Sequence, residues 1–358
     1  MERKATERIN HLDLYRAFAI LAVIAIHGTS IYAAKVPKDS LFYPVYFFIN
    51  KGSMFAVPAF LFLSALVLFY NYYPRERNSW SGFWRKRMKF VLVPYFLWSL
   101  FYFLLLQIGI NRSLTFDAFI GFGKKLLLGT NYTHLYFIFV IAQFYVLFPL
   151  MLALVKKVPA IARHLIATGI VVQIAFVFLN RSVLHITTTG RLVITYTLFL
   201  CLGAYIGMNY RKYIDKLYAN RWPWIVAWAV SGVVFLTYLW LMDHGITWKS
   251  DLNGYLYNVL YYGYVSLSCI ALLLISSALH AKRGRLVTLL QSIGIGSFAI
   301  YFVHPVFLLV WRRYIQQTGD VILFHLLTAA GAIAALTLSW FMYLAIRKLK
   351  WAWLLTGK

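Results

Sequence analysis

The chain has 358 residues, 62% of them hydrophobic, 19% aromatic and only 13% charged, against roughly 45–50% apolar and 25% charged residues in soluble domains. That composition excludes a soluble globular enzyme and marks an integral membrane protein, with nearly all of this sequence in the membrane domain. The net charge of +25 would point to an anionic partner such as nucleic acid in a soluble protein, but here the placement of Lys and Arg around apolar runs accounts for it.

Those runs predict an all-α polytopic bundle of about ten transmembrane helices, forming a single domain over residues 1–358. The first span covers about 12–34; no small-residue cleavage site follows it, so it is expected to remain as a span. The second, about 42–71, is long and interrupted by Lys51, Gly52 and Pro58, which predicts a tilt or kink. A basic cytoplasmic loop, YYPRERNSWSGFWRKRMK, leads to the third span at about 88–109. Residues 111–132 are too interrupted by Gly121, Gly123 and the Lys124–Lys125 pair to cross a membrane and read as an interfacial or re-entrant segment.

The fourth span starts close to His134 and ends near Val155, the fifth is about 161–180, and the sixth, about 191–209, holds Gly203 and Gly207 at helix-packing spacing. Spans seven and eight, about 222–242 and 255–279, are bordered by Trp222, Trp224, Trp248, Tyr255 and Tyr257, which suit the interfacial aromatic belt. The ninth, about 287–311, carries Ser297, Tyr301, His304 and Pro305; the tenth is about 321–346. Six alternate segments, beginning with Arg3 to Arg16 and ending with Arg347 to Lys358, hold most of the 35 Lys and Arg residues. By the positive-inside rule both termini are cytoplasmic. Cys201 and Cys269 sit in apolar runs and need neither a disulfide nor a metal.

Ionisable groups inside a span are costly, so each is a candidate functional residue. Arg16 and His27 are eleven residues apart, which places them on one helical face, within about 20° of each other and about 16 Å apart along the axis. With the first helix entering from the cytoplasm, His27 is about 22 Å deep; His304 lies about 25 Å along the ninth helix, which runs the same way. His134 heads an inward-running helix, so three imidazoles reach one level of the membrane. An ordinary interhelical hydrogen bond also explains each of them. Asp13 and Arg16 are spaced to pair, although Arg16 is also suited to bidentate contact with an anion. Topology and lipid headgroup contacts account for Arg85, Lys86, Arg87 and Lys89 without a further function, although a phosphate-bearing ligand entering from the cytoplasm would also be attracted there. None of the nine histidines has metal-ligand spacing, so no metal is expected.

These residues match a family. The chain resembles, over almost its whole length, the acyltransferase 3 family of bacterial inner-membrane O-acyltransferases. Arg16, ten residues and His27 fit its first-helix signature. FAVPAFLFLSALVL (55–68), which includes Ser64, is similar to its V-P-x-F-F-F-x-S-G segment with Ala65 in place of Gly. FWRKRMKFVLVPY (83–95) is similar to its basic segment, with Lys86 and Lys89 where Arg is frequent. HLYFIFVIAQFYVLFPLM (134–151) is similar to its H-L-W-F segment, with Tyr136 for Trp, and SFAIYFVHP (297–305) matches its Ile-Tyr-x-x-His motif. GAYIGMNY and residues 129–148 further resemble the exopolysaccharide, or intercellular-adhesion, branch.

The resemblance implies transfer of a small acyl group, such as acetyl or succinyl, from cytoplasmic acyl-CoA to a hydroxyl of an extracytoplasmic cell-surface glycan or its lipid-linked precursor. Acyl-CoA is then a substrate and no other cofactor is implied. His27 would be general base or transient acyl carrier, with Arg16 beside it in the signature. His134, Tyr136, His304, Tyr301 and Ser64 would support or orient the acceptor, and Arg85, Lys86, Arg87 and Lys89 would meet the donor. The location implied is the bacterial cytoplasmic membrane. A flippase or exporter of a lipid-linked sugar or polysaccharide is the rival reading, since an intramembrane His also suits proton relay.

Overall fold

A computed structural model describes residues 8–76, 78–109, 113–247, 249–282 and 284–357; Trp248 and the basic residues Arg3, Lys4, Arg77, Arg112, Arg283 and Lys358 lie outside these. In chain order the helices are α1 (Leu12–Thr29), α2 (Tyr32–Lys35), α3 (Tyr43–Gly52), α4 (Ala56–Tyr72), α5 (Trp80–Arg87), α6 (Val93–Gly109), α7 (Phe116–Leu128), α8 (Tyr136–Lys157), α9 (Pro159–Arg163), α10 (Leu165–Leu179), α11 (Thr197–Met208), α12 (Tyr210–Ala219), α13 (Arg221–Asp243), α14 (Ser250–Lys282), α15 (Arg285–Gln317), α16 (Val321–Ile346) and α17 (Trp353–Thr356). Among the described residues nine helical stretches are long and apolar enough to cross a membrane, and a tenth is reached if α11 with its preceding turn and α12, bent by 100°, count as one. The protein is therefore a multi-pass helical membrane protein.

Local chemistry explains where the helices begin and end. Ser79 and Thr115 cap α5 and α7 by accepting the N–H of Gly82 and Ala118, each at 3.3 Å, and Gly129 ends α7 in the left-handed conformation at φ 68°. The second span, expected to tilt or kink around its interruptions at Lys51, Gly52 and Pro58, breaks over 53–55 between α3 and α4, directly after Gly52. Pro58 falls in the first turn of α4, where a missing N–H costs no helical bond. The stretch expected as a basic loop is also different: Trp80–Arg87 is helical and runs through a π-helical turn, Met88–Leu92, directly into α6. Charge lowers hydropathy there without breaking helical geometry, because Arg and Lys are good helix formers.

The chain divides into two compact units, Met1–Leu63 with Asn209–Met342, and Ser64–Met208 with Tyr343–Lys358. In the first, α1 packs along α15 and also meets α14 and α3. Gly294 of α15 sits against the Asp13 carbonyl so closely that a Cβ would collide with main-chain atoms. At the other end of α1, a Cβ on Gly28 would meet the Ala332 Cβ of α16 at 2.8 Å. Polar side chains cross between helices as they do in lipid, where no water competes: Trp228 donates to Ser268 at 3.0 Å, and Tyr264 to the Gly52 carbonyl at 2.6 Å. Tyr32, Tyr43, Tyr46 and Phe47 form a buried aromatic cluster beyond the end of α1.

In the second unit α10 packs on α11, with Gly169 against Cys201. Of the expected packing glycines, Gly207 presses on the Leu66 main chain. Tyr95 donates to the Leu126 carbonyl at 2.5 Å, holding α7 to α6, and Trp98 donates to the Leu355 carbonyl at 3.1 Å, holding α17.

Gly294→Ala is expected to force α1 and α15 apart and destabilise the protein by about 1–3 kcal/mol, the range for overpacking. Gly263→Ala, where a Cβ meets nothing within 4 Å, is expected to be neutral or slightly stabilising. Unfolding in detergent measures both; equal stabilities would contradict the close crossing.

Candidate active site

The first unit holds His27, His304, Tyr301 and Arg16. α1 and α15 run parallel, because Gly294 lies beside Asp13 and Ala17 while His304, ten residues on, lies beside His27. The two imidazoles have ring centroids 5.3 Å apart and planes inclined at 45°. His27 is partly buried, His304 is fully buried, and the buried Tyr301 ring lies 6.3 Å from that of His304. His304 Nδ1 is 3.0 Å from the Ile300 carbonyl oxygen. A carbonyl only accepts, so Nδ1 carries the proton of the neutral ring and Nε2 carries the lone pair.

The backbone under His27 is held by groups from two other helices. Arg312 of α15 donates through Nη2 to the His27 carbonyl at 2.5 Å and to Ser30 Oγ at 2.7 Å. Asn50 of α3 donates to the Ile26 carbonyl and to Thr29 Oγ1, each at 3.0 Å. These bonds satisfy carbonyls that the end of a helix leaves open, and the guanidinium complements the negative end of the α1 dipole. Neither Arg312 nor Asn50 was picked out from the sequence. Arg312 stands one residue past the expected end of the ninth span, about 287–311, so hydropathy left it outside the membrane; Asn50 is not ionisable and gave no signal.

At the other end of α1, Asp13 is buried and shared: Arg16 Nη1 contacts one carboxylate oxygen at 2.6 Å and Arg8 Nη2 the other at 2.5 Å. The expected Asp13–Arg16 pair is thus present.

The second unit holds the remaining candidates. His134 precedes α8 and is buried, edge-on to Tyr102 at 5.1 Å and Tyr132 at 5.6 Å, whose rings stack at 4.3 Å. Tyr136 opens α8, and Ser64 is a partly buried residue of α4. Of the three imidazoles expected at one level, the first unit brings His27 and His304 together, and His134 has the tyrosine surroundings just described. Arg85, Lys86 and Lys89 are exposed. Arg87 lies over the rings of Tyr145 at 4.6 Å and Phe83 at 5.1 Å, and Lys89 over Trp353 at 4.6 Å and Phe90 at 5.3 Å. Aromatic faces orient these two cations while leaving their charge unneutralised; among the described residues none of the four pairs with a carboxylate. Among the described residues no group of three or more His, Cys, Asp or Glu side chains is placed to hold a metal ion.

Two facing imidazoles, one with an assigned lone-pair nitrogen, can move a proton to and from a hydroxyl without a metal. Comparison with known proteins bears on that chemistry. An acyltransferase-domain family model matches residues 9–344. A Bacillus subtilis (strain 168) protein named "Putative membrane-bound acyltransferase YfiQ" is 25% identical over 321 residues, covering 85% of this chain and 82% of that protein. A Staphylococcus aureus (strain N315) protein named "Probable poly-beta-1,6-N-acetyl-D-glucosamine export protein" is 26% identical over 273 residues, covering 73% and 71%. A Staphylococcus epidermidis protein of the same name is 26% identical over 315 residues, covering 84% and 81%. No solved structure matches the chain. The match over residues 9–344 takes in the Arg16–His27 signature and the His304 motif alike, and on it the chain belongs to the acyltransferase 3 family, as a membrane-bound acyltransferase.

Proposed function

We propose that this acyltransferase moves an acyl group from cytoplasmic acyl-CoA to a hydroxyl of an extracytoplasmic glycan, in the cytoplasmic membrane of a bacterium. The observation that carries the reading is the His27–His304 pair, ring centroids 5.3 Å apart, with the His27 backbone clamped by Arg312. In the proposed reaction His27 removes the proton of the acceptor hydroxyl as its oxygen attacks the thioester carbonyl. The tetrahedral intermediate collapses with loss of the C–S bond, and the proton on His27 passes to the departing thiolate, giving an ester and free CoA. His304 and Tyr301 line the imidazole and orient the acceptor. The Arg312 charge favours the oxyanion of the intermediate.

The donor's phosphates are assigned to cations: Arg16, and Arg85, Lys86, Arg87 and Lys89, which lack carboxylate partners among the described residues. Acceptor support is assigned to His134 and Tyr136, with Ser64. Acetyl and succinyl groups both suit this chemistry, and the names of the staphylococcal relatives favour an amino-sugar polymer as acceptor. Those names also favour a second reading, polysaccharide export. In reconstituted vesicles, glycan movement that needs no acyl donor supports export, and labelled acyl transfer without glycan movement supports the enzyme.

His27→Ala is expected to lower transfer from labelled acyl-CoA by about 10²-fold or more, the usual size of a lost general base, with unfolding in detergent unchanged. Transfer at the original rate would remove His27 from the chemistry. A hydroxylamine-sensitive label on the protein would instead make His27 an acyl carrier. Arg312→Ala is expected to reduce kcat with little change in KM for either substrate, and Arg312→Lys to restore part of the loss. A change confined to KM would place Arg312 in binding instead.

A further inference from the structure

Beyond the histidine pair, the first unit contains a cavity of about 220 Å³ where α2, α15 and α16 end or begin. Lys35, Ser40, Asp320, Phe324 and His325 are among the residues lining it. The geometry points to a subsite for one pyranose ring of the acceptor glycan, several rings away from the hydroxyl that reacts at His27. This deepens the proposed reading and rests on it for the identity of the occupant.

Position is the first argument. Lys35 is eight residues beyond His27 on the α1–α2 line, and Ile315, also in the cavity wall, is eleven residues beyond His304 on α15. At about 1.5 Å per residue the cavity is therefore roughly 12–16 Å further along the two helices that carry the imidazole pair, on the same side of both. That separation suits a chain of sugars and exceeds the reach of a single one.

Lining chemistry is the second. The volume is below the ~300 Å³ at which drug-sized sites begin, which suits a single ring. Its walls combine apolar and aromatic surface for the C–H face of a pyranose with hydrogen-bonding groups of both kinds for its hydroxyl and amide substituents. Neither Lys35 nor Asp320 forms an ion pair among the described residues. Asp320 uses Oδ1 to accept the Leu323 N–H at 2.7 Å at the start of α16, which fixes the carboxylate. His325 is fixed as well, its Nδ1 2.9 Å from the hydroxyl of buried Tyr46 and its ring stacked on Phe42 at 3.9 Å. A lipid chain has no polar atoms to offer Lys35 and Asp320, and a polyanion would meet the Asp320 carboxylate.

The test is equilibrium binding of a β-1,6-linked N-acetylglucosamine tetramer to the purified full chain, alongside acyl transfer to the same tetramer. The double variant Lys35→Gln with Asp320→Asn removes both charges, and Asn preserves the helix cap. Wild-type protein is expected to bind the tetramer and the double variant to bind it at least tenfold more weakly, with KM for the tetramer raised and kcat retained. Equal affinities, or no binding to the wild type, would overturn the subsite. Tenfold weaker binding by the variant while the wild type transfers no acyl group would leave the subsite standing and overturn the catalytic reading instead.

Discussion

Close approach of α1 and α15 at Gly294 is the constraint on which the first unit depends. An ionisable side chain in a membrane span carries a desolvation cost that only a defined partner offsets, and α1 carries several. Where Gly294 lets the main chains touch, the two helices lie parallel, and the register that results puts His304 beside His27 and Arg312 on the His27 carbonyl. Asp13, buried next to that crossing, is neutralised twice over by Arg8 and Arg16. A single glycine contact thereby fixes the environment of polar groups at both ends of α1. Asn50 supplies the remaining hydrogen bonds at the far end.

Much of this arrangement was legible in the amino-acid order, since hydropathy marks spans and helical rise converts sequence separation into depth. Counting from the inner ends of the first and ninth spans placed His27 and His304 at similar depth, and their rings are neighbours. Features that depend on more than hydropathy were harder to read. Trp80–Arg87 has the charge of a loop and the geometry of a helix, because Arg and Lys are good helix formers. The second span breaks at 53–55, between its expected interruptions at Gly52 and Pro58, whereas the 100° turn of the sixth beside Asn209 is not predicted by composition. Arg312 escaped notice because it stands one residue past the end of the ninth span as hydropathy bounds it, about 287–311.

Membership of the acyltransferase 3 family and the facing imidazoles address different parts of the chemistry. The family establishes acyl transfer as the activity class, while the geometry supplies an imidazole pair in which the backbone at His27 is pinned from α3 and α15. Rigid support of this kind is what general-base chemistry needs, because proton transfer depends on hydrogen-bond distance before it depends on basicity. The shared relatives named for polysaccharide export are compatible with an enzyme that modifies a polymer at the membrane, and in the proposed account acylation and passage of the glycan are separate events.

The central claim is that acyl groups from a donor on one side of the membrane reach a glycan on the other. Sealed vesicles containing the purified protein, with labelled acyl-CoA outside and the β-1,6-linked N-acetylglucosamine tetramer trapped inside, test it directly. Label recovered as an ester on the trapped tetramer, and absent from vesicles carrying His27→Ala, is the predicted result. Tetramer that leaves the vesicles unlabelled, at a rate independent of acyl-CoA, would contradict it.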